Sequence, residues 1–442
     1  MHNTLYMKIS TCLPTNGFSL DELVIKTKEL FEKNGMAGLV ELLLSLMDDL
    51  LCSEITHGKG GTCRNCNSSS FKYHDRPMHT IRSSIGKIHI RWRRLRCYDC
   101  GKEIIPLREF LKIAPYQRKT AELERIVTEV AGEQSFRRTC RHIELIGGVS
   151  IPPSTAHRWF VQSDCDEIEV DEKKVDVLFA DGTGFKRRPD KSKGKNNRGK
   201  LKVALGLKND GTVVPIGSWT KQSWAEIGRE IQEKAGHCEP MGTLLLSDGE
   251  LGISEGLAHL VQAEQRSHWH QVNDLHFTMW QDKAGAPVWK ALQRQLAGIL
   301  RVELPKEEYE KVKEEDKTAI EESVRCAKKE VDELISNLEE KGYNHAAGYI
   351  RNARENLFTY IELWLECGIV SPRASSLIER MMREIGRRLK RMAFGWSEKG
   401  AAKMARVIIK RFTSAAEWEK YWAERIRITG NVKLVFEGIY AE

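Results

Sequence analysis

The spacing of apolar residues divides the chain into stretches of helical and strand-like period. Residues from about 18 to 52 (FSLDELVIKTKELFEKNGMAGLVELLLSLMDDLLC) carry apolar side chains at helical spacing, which predicts two helices broken near Gly35. Ser19 followed by Glu22 reads as the capping box of the first. The segment HTIRSSIGKIHIRWRRLR alternates apolar and polar positions, as half-buried strands do. From Pro115 to Phe160 the period becomes helical again. TAELERIVTEVAGEQSF, RRTCRHIELIGG and VSIPPSTAHRWFVQ predict two short helices, a Gly147-Gly148 turn and a third helix opening at Pro153-Ser154-Thr155.

An acidic strip, Asp164 to Asp171, reads as a solvated linker into three strand-like runs. The first ends in Ala180-Asp181-Gly182 and is followed by a loop crowded with Lys and Arg, Phe185 to Lys202. Leu201 to Leu207 and Val213 to Trp219 follow, joined by Asn209-Asp210-Gly211, a tight hairpin turn because these residues tolerate positive φ. The prediction is three consecutive antiparallel strands with the Asp181 carboxylate at the end of the first. Leu244-Leu245-Leu246-Ser247 is short and continuously apolar, a buried strand that delivers Asp248-Gly249 ahead of a helix near Ile253 to Val261. Residues 285 to about 368 read as nearly all helix, with Tyr309, Val312, Ile320, Val324, Val331, Leu334 and Leu338 as an intermittent apolar stripe. A basic amphipathic helix then places Glu379 among Arg380, Arg383, Arg387 and Arg388, with Ile378, Met382, Ile385 and Leu389 as its buried face.

Charge and cysteine content add partners to this outline. The chain has 442 residues, enough for several domains, and a net charge of +8 that suits a polyanionic partner. No apolar run is long enough to span a membrane and the N-terminus lacks a signal-peptide pattern, which predicts a cytoplasmic protein without membrane association. In that compartment its eleven cysteines are not expected to form disulfides. Cys63-x-x-Cys66 and Cys97-x-x-Cys100, separated by a β-rich segment, have the spacing of a closed, structural Zn²⁺ ribbon. Arg91, Arg93 and Arg94, interleaved with Ile and Trp92, would give that ribbon a phosphate-binding face, the plainer alternative being a solvated charged surface. The three helices that follow have the layout of a helix-turn-helix, with Ser154, Thr155, His157 and Arg158 at the start of the recognition helix. Trihelical packing without DNA is the plainer reading there.

Taken singly, an Asp-Gly pair is turn chemistry and a Glu among arginines is a surface ion pair. As an ordered set, Asp181, Asp248 and Glu379 predict three carboxylates converging from two strands and a helix. Such a cluster repels itself unless cations neutralise it, and oxygen donors suit two Mg²⁺ or Mn²⁺ ions poised for phosphoryl transfer. His268, His270 and His276 lie in one segment and could orient a carboxylate, contact the scissile phosphate or ligate metal, with plain packing as the alternative; orienting a carboxylate is preferred, and His270 is the best candidate.

At these residues the chain resembles the DDE transposases of bacterial and archaeal insertion sequences, in the group that includes the Mutator-like elements. The matching segments are Ala180-Asp181-Gly182, Leu246-Ser247-Asp248-Gly249 with Gly252, Gln265 to His270, and Ser376-Leu377-Ile378-Glu379-Arg380 with Arg383 and GWSEKGA. Where members often carry Cys or Asp shortly before the motif histidine, this chain has Ser267. The resemblance implies an α/β fold: a ribonuclease-H-like catalytic core with an all-helical insertion, preceded by the zinc ribbon and helix-turn-helix. The domains would be an N-terminal helical segment (1–55, a possible dimerisation element), ribbon (56–112), helix-turn-helix (113–165), first part of the core (170–280), insertion (281–370) and second part with the tail (371–442). It further implies a metal-binding triad of Asp181, Asp248 and Glu379, with two catalytic Mg²⁺ or Mn²⁺ ions. Double-stranded DNA would be the partner, both element ends and target, held through Lys186, Arg187, Arg188, Lys200, Arg380, Arg383 and Arg387 by a homodimer in a prokaryotic cytoplasm. A non-catalytic DNA-binding regulator and a nuclease that does not join strands are the alternatives.

Overall fold

The computed structural model describes residues 19–30, 35–58, 61–168, 174–188, 198–235, 241–305, 307–391 and 394–428. Residues 31–34 at the expected helix break, 169–173 of the acidic strip and 189–197 of the basic loop lie outside them, as do 1–18 and 429–442. The chain divides into two compact units, residues 1–162 with 422–442, and residues 163–421.

The first unit opens with helices α1 (Leu20–Leu30) and α2 (Met36–Thr56). Strands β1 (Phe71–Asp75), β2 (Met78–Ser83), β3 (Gly86–Arg91), β4 (Arg94–Cys97) and β5 (Glu103–Ile104) follow. β2 and β3 form a hairpin whose Ile81, Ile88 and Ile90, with Trp92, pack against Val40, Leu44, Met47 and Leu51 of α2. β1 pairs antiparallel with β4 in a register that sets Phe71 opposite Cys97, and this draws the two cysteine knuckles together. After the short α3 (Pro106–Phe110) come α4 (Ala121–Glu133), α5 (Phe136–Gly147) and α6 (Pro153–Gln162). Their limits follow local chemistry. The Thr120 and Ser135 side chains accept from the Leu123 and Arg138 N–H groups to cap α4 and α5, and Gly148, at φ 64°, ends α5.

The second unit is built on a five-stranded mixed sheet of β6 (Val175–Lys186), β7 (Arg198–Leu207), β8 (Val213–Trp219), β9 (Gly242–Ser247) and β10 (Val261–Arg266), in the order β10-β9-β6-β7-β8. β6 and β8 each run antiparallel to β7 between them, whereas β9 is parallel to both β6 and β10. The β7–β8 turn is as expected, with Gly211 at φ 82° and its N–H donating to Lys208 O at 2.9 Å.

Two sequence expectations change. Asp181 does not end its strand: β6 continues to Lys186 because every residue from Val177 onward is matched by β7, so Asp181-Gly182 is not a turn. β10, VQAEQR, is a strand where a helix was expected to end; its polar composition hides it, and parallel pairing with β9 creates it.

Helices α7 (Trp224–Ala235) and α8 (Leu251–Leu257) cover one face through Trp224, Ile227, Ile231, Ile253 and Leu257, packed on Leu178, Ala180 and Leu245. Between β10 and the last helices stand α9 (His268–Asn273), α10 (Leu275–Gln281), α11 (Ala286–Ile299), α12 (Glu314–Glu340), α13 (Asn344–Ala353) and α14 (Thr359–Cys367). From α10 onward they share a core of their own, to which α12 contributes Val324, Val331, Leu334 and Leu338 of the expected stripe. The chain then returns to the sheet in α15 (Ser376–Leu389), lying against β6, and α16 (Glu398–Thr413), lying against β8. The acidic strip is also not simply solvated: Asp166 is buried, and its carboxylate pairs with Lys403 and Arg406 of α16, each at 2.7 Å.

Candidate active site and metal centre

Register brings the first two carboxylates together. Ala180 of β6 pairs with Ser247 of β9, so Asp181 and Asp248 occupy the next position on adjacent parallel strands. Period-two alternation puts Asp181 on the face of Val177 and Phe179, opposite Leu178 and Ala180, which pack toward α7 and α8. That is the face covered by α15. Its 4-3-4 spacing of Ile378, Met382, Ile385 and Leu389 buries those four side chains and leaves Glu379, in the first turn, half-buried.

Asp248 is held by its own turn. Its Oδ1 accepts the Glu250 N–H at 2.9 Å, and its carbonyl accepts from Arg266 Nη1 at 2.9 Å. Arg266 occupies the space a side chain at position 249 would need, since an added Cβ would fall 0.3 Å from Nη1, and Gly249 sits at φ 87°. The positive φ favours glycine there, and a side chain would in addition displace the Arg266 guanidinium.

Glu379 Oε1 accepts from Ser375 Oγ at 2.7 Å and faces His270 Nε2 at 3.5 Å. The other imidazole nitrogen, Nδ1, meets Asp274 Oδ2 at 3.0 Å, so Asp274 orients the ring. Burial disfavours the imidazolium, but the Asp274 hydrogen bond and the charges of Asp274, Asp248 and Glu379 outweigh it and raise the His270 pKa. Asp181 is pushed up to about 6, by burial first and then by the charge of Asp248, with Glu379 adding to it. The Gly182 N–H and His270 act in the opposite direction.

The arrangement is therefore three acids and a histidine from four elements, electrostatically coupled and short of positive charge. It is an open grouping: among the described residues, the cysteine quartet is the one set of three or more His, Cys, Asp or Glu ligand atoms lying within 4.8 Å of one another. Oxygen donors of this kind suit hard divalent cations. His268 and His276 do not join the site. His268 is buried against Phe358 and Tyr360, and that burial drives its pKa down to about 4 although its Nε2, 2.6 Å from Leu357 O, acts in the opposite direction; His276 Nδ1 lies against Asn273 O.

The cysteine centre is closed. Cys63 and Cys100 Sγ lie 3.5 Å apart, as do those of Cys66 and Cys97. A tetrahedral Zn–S₄ site with 2.3 Å bonds has S···S edges of about 3.8 Å, so the quartet fits Zn²⁺. The Lys102 N–H, followed by the Asn65 side chain, lowers the Cys100 thiol to about 6, toward the ligating thiolate.

The other basic residues and the α6 residues expected to meet DNA differ in their surroundings. Arg91 is exposed, but Arg93 pairs with Asp48 and Asp49, and Arg94 with Asp75 and Glu103, within the first unit. Ser154 and Arg158 are exposed on α6, Thr155 is half-buried, and half-buried His157 sits edge-on to Phe136. In the second unit Arg187 pairs with Glu398, Lys200 with Glu250 and Arg387 with Glu384, while Lys186, Arg188, Arg380 and Arg383 are exposed. Sequence reasoning missed Arg266, Asp274 and Ser375. Only Ser375 left a signal, as a serine just before a helix and four residues ahead of its glutamate.

No protein-family model matches the chain, so none stands behind the Mutator-like resemblance. No curated protein matches it either. Among solved structures it is similar to the Drosophila P element transposase strand transfer complex, at 12% identity and a TM-score of 0.25, over 72% of this chain and 84% of that one. At that TM-score the likeness carries no functional weight. No helix among the described residues is long and apolar enough to cross a membrane.

Proposed function

We propose that this chain is a DDE-type DNA transposase, which binds the ends of a mobile element, cleaves them and joins them to target DNA. The observation that carries this reading is that strand register sets Asp181 and Asp248 at neighbouring positions, with Glu379 of α15 near enough for its charge, like that of Asp248, to act on Asp181. Carboxylates arranged at such a cost are commonly functional, because cations or substrate repay it. The sheet order supports the same reading, since three antiparallel strands flanked by two parallel ones is the arrangement expected of a ribonuclease-H-like core.

Asp181 and Asp248 would hold divalent ions from the strands and Glu379 from α15, with His270 steadying Glu379. When bound, Mg²⁺ or Mn²⁺ supplies activation of the attacking oxygen and charge stabilisation at the scissile phosphate. The helices between β10 and α15 form the insertion. Arg188, Arg380 and Arg383 offer exposed positive charge for the DNA backbone, as does the exposed Lys186, and Arg187, Lys200 and Arg387 would have to exchange protein partners for phosphates. In the first unit, the Zn²⁺ ribbon and the α4–α6 helix-turn-helix would hold the element ends through Ser154, Thr155, His157, Arg158 and Arg91. Arg93 is taken up in ion pairs with Asp48 and Asp49 of α2, and Arg94 in pairs with Asp75 and Glu103 of the ribbon. Two ends in one assembly call for a homodimer.

The test is cleavage and joining of a labelled fragment bearing the inverted repeats that flank the protein's own gene, with Mg²⁺ or Mn²⁺, comparing wild type with Asp248→Asn. Metal-dependent joining lost in the variant supports the reading. Tight end binding with no cleavage by either protein would favour the regulator, and cleavage without joining the nuclease.

A further inference from the structure

The carboxylate on α15 belongs to an element that returns to the sheet only after the helices between β10 and α15, yet its charge acts on Asp181 of β6, set far earlier in the chain. A buried set of hydrogen bonds links the two. Ser267 and Ser375 are 0% and 2% exposed. The Ser267 N–H donates to the carbonyl of Ser247, the last residue of β9, at 2.9 Å. Ser267 Oγ lies 3.0 Å from Ser375 Oγ and accepts the Ser375 N–H at 3.3 Å. Ser375 Oγ donates to Glu379 Oε1 at 2.7 Å.

The count of hydrogens gives this chain a direction. A serine hydroxyl has one hydrogen, and that of Ser375 is used on the carboxylate, so Ser267 must donate to Ser375. The relay therefore ends on an acceptor, Glu379 Oε1. Both Ser375 and His270 engage Oε1, and among the described residues Oε2 has no protein partner. Glutamate has three side-chain torsions to fix, and pinning one oxygen presents the other in a constant direction. The same segments are tied a second time by the His268 N–H to Arg373 O at 3.0 Å.

The geometry points to Ser267 and Ser375 as positioning residues: a buried two-hydroxyl relay from the end of β9 that fixes Glu379 with one oxygen free for a divalent cation. The inference rests on the proposed carboxylate metal site. Its test is Mn²⁺ binding to the full-length, Zn-loaded protein without DNA, followed by electron paramagnetic resonance of free Mn²⁺, for wild type, Ser375→Ala, Ser267→Ala, Ser375→Thr and Glu379→Gln. Thermal midpoints taken without Mn²⁺ show whether each variant is folded. The expected result is about 10- to 100-fold weaker Mn²⁺ binding in both alanine variants, as for other residues that orient a metal ligand, and recovery in Ser375→Thr, which keeps the hydroxyl. Folded alanine variants that bind Mn²⁺ as wild type does, while Glu379→Gln does not, overturn the relay and leave the site standing. A Ser375→Thr variant as weak as Ser375→Ala also overturns it, since bulk and not the hydroxyl would then matter. Wild type and Glu379→Gln indistinguishable in Mn²⁺ binding would overturn the metal site itself, and the relay with it.

Discussion

Asp181→Asn should make the protein more stable while abolishing its chemistry. In the folded state burial, then the charge of Asp248 and that of Glu379, raise Asp181 from the ordinary 3.8 to about 6. That difference corresponds to about 3 kcal/mol, a ceiling because a partly hydrated site relaxes. The unfolded chain releases the proton near 3.8 and the folded chain near 6. Between those values the folded state holds more protons, so stability falls as pH rises through this window, and above about 6 the full penalty applies. Asparagine has no charge to bury. At pH 8, without Mg²⁺ or Mn²⁺, the variant should gain about 1–3 kcal/mol, or about 2–12 °C in thermal midpoint for a unit of this size. Unfolding of Zn-loaded wild type and variant from pH 4 to 8 measures this, and the difference between the two profiles isolates Asp181 from His270, whose own raised pKa also costs stability as pH rises. Added Mn²⁺ should then stabilise wild type more than the variant, since binding to the folded state alone adds stability by mass action. Parallel pH profiles, or a variant less stable than wild type at pH 8, would refute the claim that Asp181 is held ionised at a cost.

Two further changes probe the supports of the site. Gly249→Ala forces a side chain into φ 87° and onto Arg266, so the turn loses both its conformation and the Arg266 bond to Asp248 O. A loss of about 2–4 kcal/mol in chemical denaturation is expected, and unchanged stability would mean that Arg266 is not the clamp described. Cys97→Ser removes a buried ligand from the quartet. A thiol-reactive release assay with a colorimetric chelator should fall from one Zn²⁺ per chain to none, with loss of the first unit's cooperative unfolding. Full zinc retention would contradict the four-thiolate centre.

Much of this protein is written in short-range pattern. The 4-3-4 stripe of α15, the stripe of α12, the apolar run of β9, the Asp210-Gly211 turn and the two Cys-x-x-Cys knuckles each depend on a few neighbouring residues, and all could be placed from sequence. The order of Asp181, Asp248 and Glu379 was legible too, although their distances were not. Where local chemistry competed with pairing, pairing prevailed. Asp181-Gly182 has turn propensity but lies inside β6 because β7 hydrogen-bonds along its whole length. VQAEQR has little strand character of its own and becomes β10 beside β9. Asp166 looks solvated until Lys403 and Arg406 arrive from the far end of the chain. Likewise Ser375 and Arg266 acquire their roles only when α15 settles on β6 and the guanidinium fills the space over Gly249. Periodicity and turn chemistry are properties of adjacent residues, so the sequence alone determined most of the helices, the apolar strands and the candidate acids. Strand register and helix docking depend on contacts between distant segments, and only the tertiary structure could decide which carboxylates face one another, which cations are already paired, and what holds Glu379 in place.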